Sequence, residues 1–306
     1  MEQILARWGI RGPVTISPTA LGSGRTWSID SLAGRHYMLK AVDRTRADRE
    51  RRVLLGLAAA GVPVAPPIAA EDGAWYVEDR EGRPHCLYAR LPGTAYTTYY
   101  DADGEAWAGR FGRALGLLHE GLRKCAEPEG PRDAGIIDQV NTWVMPRIRA
   151  ATGIVDGDAA ERVWRDVAPT LDALYGGLPQ QLIHRDPHPG NMLFLGGQLT
   201  GWLDLEQVRR GPRLFDVCYC AGSILVEGFE EPDRARRWPG LFRSLVPGYD
   251  AFLPLTEGER QAAYGVFVMI ELTFVGFYLE LGLGETAQMA ERLLHWMAAH
   301  REAFAL

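Results

Sequence analysis

The hydrophobic period of the chain changes near residue 93, and the two periods demand two kinds of packing. Before that point apolar residues fall in short runs: VTISPTAL (14–21), WSID (27–30), HYMLKAV (36–42), AWYVED (74–79) and HCLYARL (85–91). Turn signals at Gly22-Ser23-Gly24 and at Gly34 separate the first three, which predicts an antiparallel meander. One helix interrupts the strands over 46–61, with Glu50, Val53, Leu54 and Leu57 at i, i+3, i+4 and i+7. Gly61 is its expected stop, and Pro63 follows. Beyond Leu91-Pro92-Gly93 the period becomes 3.6. Trp107, Phe111, Leu115, Leu118 and Leu122 mark a helix, and others are expected at 138–151, 158–175, 214–228, 231–245, 257–282 and 286–303. Only 181–205 breaks the helical run, with short apolar segments around tight loops. The expected class is α+β: residues 1–94 as a small antiparallel sheet with one helix, and 95–306 as a larger, mainly helical lobe.

Charge follows the same division. The 306 residues carry 33 Lys and Arg against 39 Asp and Glu, a net of −6. Residues 1–94 hold 13 basic and 10 acidic side chains, so they carry +3 and the remainder carries −9. An acidic total without a basic face argues against a nucleic-acid partner. At 47% apolar and 24% charged the chain has the composition of a folded protein, not a disordered one. Cys86, Cys125, Cys218 and Cys220 lack metal-site spacing and are expected as reduced thiols. The apolar stretch 262–279 approaches the length of a membrane span, but Glu271 stands in its middle, so a buried core helix is expected. With no secretory signal at the start, a cytoplasmic location and no membrane partner are expected.

The densest cluster of chemically able side chains is His184-Arg185-Asp186-Pro187-His188-Pro189-Gly190-Asn191. Two prolines and a glycine forbid a helix there, so a rigid loop between short strands is expected. Thirteen residues beyond Asn191, Asp204 ends the apolar run Gly201-Trp202-Leu203. One carboxylate to take a hydroxyl proton, plus an amide and a second carboxylate for a hard cation, is what magnesium-dependent phosphoryl transfer needs.

This pattern resembles the protein-kinase-like phosphotransferases, and HRDPHPGN…LDLE resembles their aminoglycoside phosphotransferase and choline kinase branch. The resemblance implies a two-lobed, protein-kinase-like fold with a hinge near 88–94. It implies Asp186 as catalytic base, with Asn191 and Asp204 as Mg²⁺ ligands. Lys40 matches the lysine on the α- and β-phosphates, and Glu50 the helix glutamate that pairs with it. Gly22, Ser23 and Gly24 match the phosphate loop; Tyr88, Ala89 and Leu91 match the segment that meets the nucleotide base. Asp216 matches an aspartate that braces the catalytic loop. His184 is expected to hydrogen-bond loop backbone. His188 falls where many protein kinases place a lysine on the transferred phosphate, and Glu206 could approach a metal ion or an N–H donor. The GSGRTW loop lacks a third glycine and Leu205-Glu206 replace Phe-Gly, which points away from a protein substrate.

The expected function is transfer of the γ-phosphate of ATP or GTP to a small-molecule hydroxyl by a monomer or homodimer. An antibiotic is the first expected acceptor. Homoserine, choline, methylthioribose or an amino sugar stand next. The acidic second lobe suits a cationic acceptor, with Glu227, Glu230, Glu231, Asp233 and Glu271 as candidate contacts. A different class, a metal-dependent hydrolase using His184, Asp186, His188 and Asp204, remains open from sequence.

Overall fold

A computed structural model describes residues 1–19, 25–32, 34–126 and 135–306. The expected Gly22-Ser23-Gly24 turn lies outside them. The chain divides into two compact units. One gathers Met1–Ala95 and Asn191–Val208 with a short piece at Lys124–Glu129; the other gathers Tyr96–Arg123, Gly130–Gly190 and Arg209–Leu306.

The first unit opens with a short helix, α1 (Glu2–Leu5). Its sheet then follows as β1 (Val14–Pro18), β2 (Thr26–Ser31), β3 (His36–Ala41), β4 (Val77–Glu78) and β5 (Pro84–Ala89). All neighbours are antiparallel, in the order β1-β2-β3-β5-β4. The expected strand at 74–79 shrinks to two residues. Helix α2 (Arg44–Ala59) starts on an Asp43 side chain that accepts the Arg46 amide, and Gly61 beyond its end takes φ +81°. Leu5, Trp8, Ile29, Leu39, Val77 and Leu87 form an apolar core. The Trp8 indole meets the polarity of the chain by donating to the Ile68 carbonyl at 2.8 Å.

The hairpin of β7 (Met192–Leu195) and β8 (Gln198–Trp202) belongs to this unit, not to the helical part where a boundary at 94 would put it. The cause is backbone pairing. Thr94 and Phe194 exchange hydrogen bonds of 3.0 and 2.9 Å, and the Trp202 amide donates to the Pro63 carbonyl at 2.9 Å. Gly93 makes the approach feasible: a Cβ there would lie 2.6 Å from the Phe194 carbonyl oxygen.

In the second unit α3 (Gly104–Leu122), α6 (Gly157–Tyr175), α7 (Leu214–Val226), α8 (Pro232–Asp250), α9 (Glu257–Glu280) and α10 (Gly284–Ala299) correspond to the expected helices. The segment expected as one helix at 138–151 is interrupted. A π-helical stretch, Val140–Val144, joins α4 (Ile136–Gln139) to α5 (Met145–Ala150). Two short strands, β6 (Gln180–Ile183) and β9 (Arg209–Pro212), pair antiparallel. Helix α9 is the one described helix long and apolar enough to cross a membrane, yet two-thirds of its apolar window is buried. A Thr256–Glu259 capping box starts it, and the buried Glu259 also takes the Arg213 guanidinium at 2.8 Å through both oxygens.

Candidate active site

Lys40 lies on β3, the middle strand, opposite Thr26 of β2 and Cys86 of β5. Ladders on both sides fix its backbone, so the ammonium reaches from a rigid base. It donates to Glu206 at 2.9 Å and to Asp204 at 3.4 Å. Burial alone would lower its pKa, but the carboxylates of Glu50, Glu206 and Asp204 together hold it above the ordinary lysine value. Glu50, on α2 and 8% exposed, forms no ion pair with Lys40 within 4 Å, yet its charge is the largest of those that raise the Lys40 pKa. Burial pushes its carboxyl up to about 7 against the pull of Lys40. Ionising Glu50 costs desolvation, whereas Glu206 and Asp204 are 36% and 58% exposed and can hold the ammonium at less cost.

Asn191 and Asp204 bracket the β7–β8 hairpin, and the Leu203 amide donates to the Asn191 carbonyl at 2.9 Å. Asp204 adopts a left-handed backbone, φ +52° and ψ +54°, at the start of a single 3₁₀ turn, Leu205–Gln207. Arg185 at φ +75° is the other described non-glycine residue in that region. Strained backbone of this kind collects at functional sites. Asn191 and Asp204 offer hard oxygen donors, few in number, which suits Mg²⁺ carried with phosphate and water. Tyr88 stands opposite Met38 at the end of β5, with Ala89 opposite Tyr37 and the Leu91 side chain against Gly201.

In the second unit, the loop after β6 is anchored by one buried carboxylate. Asp216, in the first turn of α7, accepts the backbone amides of His184 at 2.6 Å and Arg185 at 2.9 Å. Its Oδ2 also meets His119 Nε2 at 2.9 Å, and His119 Nδ1 meets the Tyr249 hydroxyl at 2.9 Å. The Arg185 guanidinium lies over the Phe215 ring at 4.8 Å. His184 is fully buried, and its Nδ1 accepts the Asp186 amide at 3.3 Å. That bond ties the ring to the loop backbone, and the described residues contain no group of three or more His, Cys, Asp or Glu placed to hold a metal ion. The four residues of the hydrolase alternative therefore do not form such a group.

Asp186 itself is held by a residue that sequence reading missed. The Tyr219 hydroxyl donates to Asp186 Oδ1 at 2.6 Å. Burial first, and the Asp186 charge next, push the Tyr219 phenol far above its ordinary value, so it stays a donor. Its only sequence signal is position: Tyr219 is three residues after Asp216, on the same face of α7. His188 Nε2 stands 3.9 Å from Asp186 Oδ2.

Asp186 and His188 open into a cavity of about 390 Å³ within this unit, also lined by Tyr99, Tyr219, Glu227 and Glu271. Of the expected acceptor contacts, Glu227 and Glu271 line it and three do not. Glu230 pairs with Arg292, Glu231 with Arg234 and Asp233 with Arg236, all on exposed surface. Glu271 is 5% exposed, and burial pushes its carboxyl up to about 8.

Comparison with known proteins gives a family and a fold. A model described as the phosphotransferase enzyme family matches residues 18–255. A homoserine kinase of Phenylobacterium zucineum is 25% identical over 293 residues, covering 89% of this chain and 83% of its own. One from Brucella ovis is 28% identical over 245 residues, covering 74% and 67%. Among solved structures, a microcompartment-associated aminopropanol kinase superposes with a TM-score of 0.72 at 16% identity, covering 97% of this chain and 96% of its own. An amicoumacin kinase in complex with AMP-PNP, Ca²⁺ and Ami superposes at 0.66 and 16% identity, covering 91% and 88%. A protein-kinase-like fold is what these last two share with the chain.

Proposed function

The chain belongs to the phosphotransferase enzyme family, and from that premise we propose that it moves the γ-phosphate of ATP or GTP to a hydroxyl of a compact small molecule, with Asp186 as the base. The observation that carries the assignment of Asp186 is its setting. One oxygen is held by Tyr219 at 2.6 Å while the residue lines the cavity, so the carboxylate is aimed at that space. In the step, the acceptor oxygen bonds to the γ-phosphorus, the bond from that phosphorus to the bridging oxygen breaks, and the hydroxyl proton passes to Asp186. Lys40 grips the phosphates, kept cationic by its surrounding carboxylates. Asn191 and Asp204 would hold Mg²⁺, which when bound neutralises charge on the β- and γ-phosphates. Asp216 fixes the loop backbone on which Asp186 stands.

For the acceptor, the relatives at 25–28% identity are homoserine kinases, which supports a small metabolite. An antibiotic, the first expectation from sequence, has support only from fold-level likeness at 16% identity. A cavity of about 390 Å³ is at the small end of ligand sites, which also favours the compact acceptor. The test is Asp186→Asn, followed by mass gain of one phosphate on an acceptor panel with ATP and with GTP. Turnover should fall by roughly 10²–10⁴-fold while nucleotide affinity is kept. Unchanged turnover would remove Asp186 from the mechanism.

A further inference from the structure

Two kinds of contact act on the loop that carries Asp186, and they fix different things. Backbone contacts hold the main chain: Asp216 accepts the amides of His184 and Arg185, and His184 Nδ1 accepts that of Asp186 itself. Together they set where the Cα of Asp186 stands. They leave its side chain two torsions, and the second, between a tetrahedral and a planar carbon, is broad in energy. A base must present a lone pair along one line to take a proton, so a fixed backbone does not by itself aim Asp186.

The Tyr219 hydroxyl supplies what the backbone contacts leave open. It donates to Asp186 Oδ1 at 2.6 Å, and among the described residues this carboxylate is its one hydrogen-bond partner. An O–H bond to a carboxylate at that distance is of the stronger, charge-assisted kind. The ring that carries the hydroxyl is itself held. Phe215, one turn earlier on α7, lies 5.9 Å from it, and Phe274 of α9 lies 5.7 Å from it. Phe215 is 6% exposed and carries the Arg185 guanidinium over its face at 4.8 Å. A closed circuit results, from Arg185 to Phe215, to Tyr219, to Asp186 and back along the chain to Arg185. The i, i+4 spacing of Phe215 and Tyr219 puts both rings on the face of α7 that meets this loop.

Resting on the phosphotransferase reading, we infer that Tyr219 is a positioning residue for the base: its hydroxyl fixes the rotamer of Asp186 that receives the acceptor proton. The phenol acts through Asp186 and neither gives nor takes a proton in the step. Burial and the Asp186 charge push its pKa far up, so it keeps its hydrogen throughout. A hydrogen bond to the carboxylate weakens once the proton arrives, a loss that Brønsted behaviour keeps small, whereas misplacement by about 1 Å costs on the order of 10²-fold. Aim therefore outweighs that loss. The effect belongs to kcat and not to nucleotide binding, because Lys40, Asn191 and Asp204, proposed for phosphates and metal, are in the other compact unit.

Tyr219→Phe tests this, since it removes one oxygen and keeps the ring. Steady-state kinetics with MgATP use the acceptor that the natural chain phosphorylates fastest among homoserine, choline, methylthioribose, glucosamine and hygromycin B. The kcat value should fall by about 10- to 100-fold, with the KM values of ATP and acceptor held within about 3-fold. Added to Asp186→Asn, the same change should cost nothing further, because no base remains to be aimed; a purely structural loss would lower both backgrounds alike. A kcat within about 2-fold of the natural chain's, a loss confined to KM, lost affinity for AMP-PNP, or an equal further loss beside Asp186→Asn would each overturn the inference. Transfer that Tyr219→Phe leaves unchanged sinks this role alone. No transfer by the natural chain to any acceptor would sink the phosphotransferase reading and this role together.

Discussion

A buried acid should burden the fold that carries it, and the burden has a sign. The Glu271 carboxyl is pushed up to about 8 in the folded chain, from 4.5 when solvated. The folded state therefore holds a proton that the unfolded state has lost at every pH between those values. Stability must fall as pH rises from about 4.5 to 8, because folding then competes with ionisation of the unfolded chain. At pH 7 the cost is on the order of 3 kcal/mol. Glu271→Gln keeps the shape of the neutral acid and removes that cost. Denaturant midpoints measured at pH 5, 6, 7 and 8 should show the variant gaining on the natural chain with each step. A variant that is less stable at pH 7 to 8 would mean that Glu271 is ionised and answered within the fold.

At the scale of elements, the close crossing of α3 and α8 depends on positions with no side chain. A Cβ on Gly112 would lie 1.9 Å from the Leu245 carbonyl oxygen, and one on Gly248 would lie 2.2 Å from that of Gly109. Backbone cannot yield as a flexible side chain does, so the helices must separate. Gly112→Ala should lose about 1–3 kcal/mol despite its better helix propensity, read from the denaturation midpoint. A gain in stability would show that the crossing has slack. These contacts were not legible in the sequence. Period and turn residues announce a helix locally, and α2 and α3 stand where the spacing of Leu57 and Leu115 requires. Nothing local says that Gly112 meets α8, or that Tyr219 reaches Asp186. The Lys40 partners show the same limit. Glu50 is inward-facing, as its spacing with Val53 and Leu57 demands, but choosing Glu206 over it depends on relative desolvation.

For the whole molecule, Thr94 and Pro63 draw the β7–β8 hairpin into the first unit through backbone pairing, which carries no compositional mark. The charge division at residue 94 therefore describes composition and not compactness, since Asn191 and Asp204 lie in the same compact unit as Lys40. The residues proposed for nucleotide and metal (Lys40, Asn191, Asp204) are all in that unit. Those proposed for the acceptor, Asp186, Tyr219 and Glu271, are in the other. A ligand that binds only the folded state stabilises it by RT ln(1 + [L]/Kd), about 2.7 kcal/mol at a hundredfold excess over Kd. Local protection appears where opening breaks its contacts. AMP-PNP with Mg²⁺ should therefore slow amide exchange in β3, β5 and residues 191–208. An acceptor bound in the cavity should slow it in α7 and α9. Lys40→Met should remove the first pattern and keep the second, and Glu271→Gln the reverse. Protection by AMP-PNP centred on α9 and absent from β3 would reverse the assignment of ligands to units.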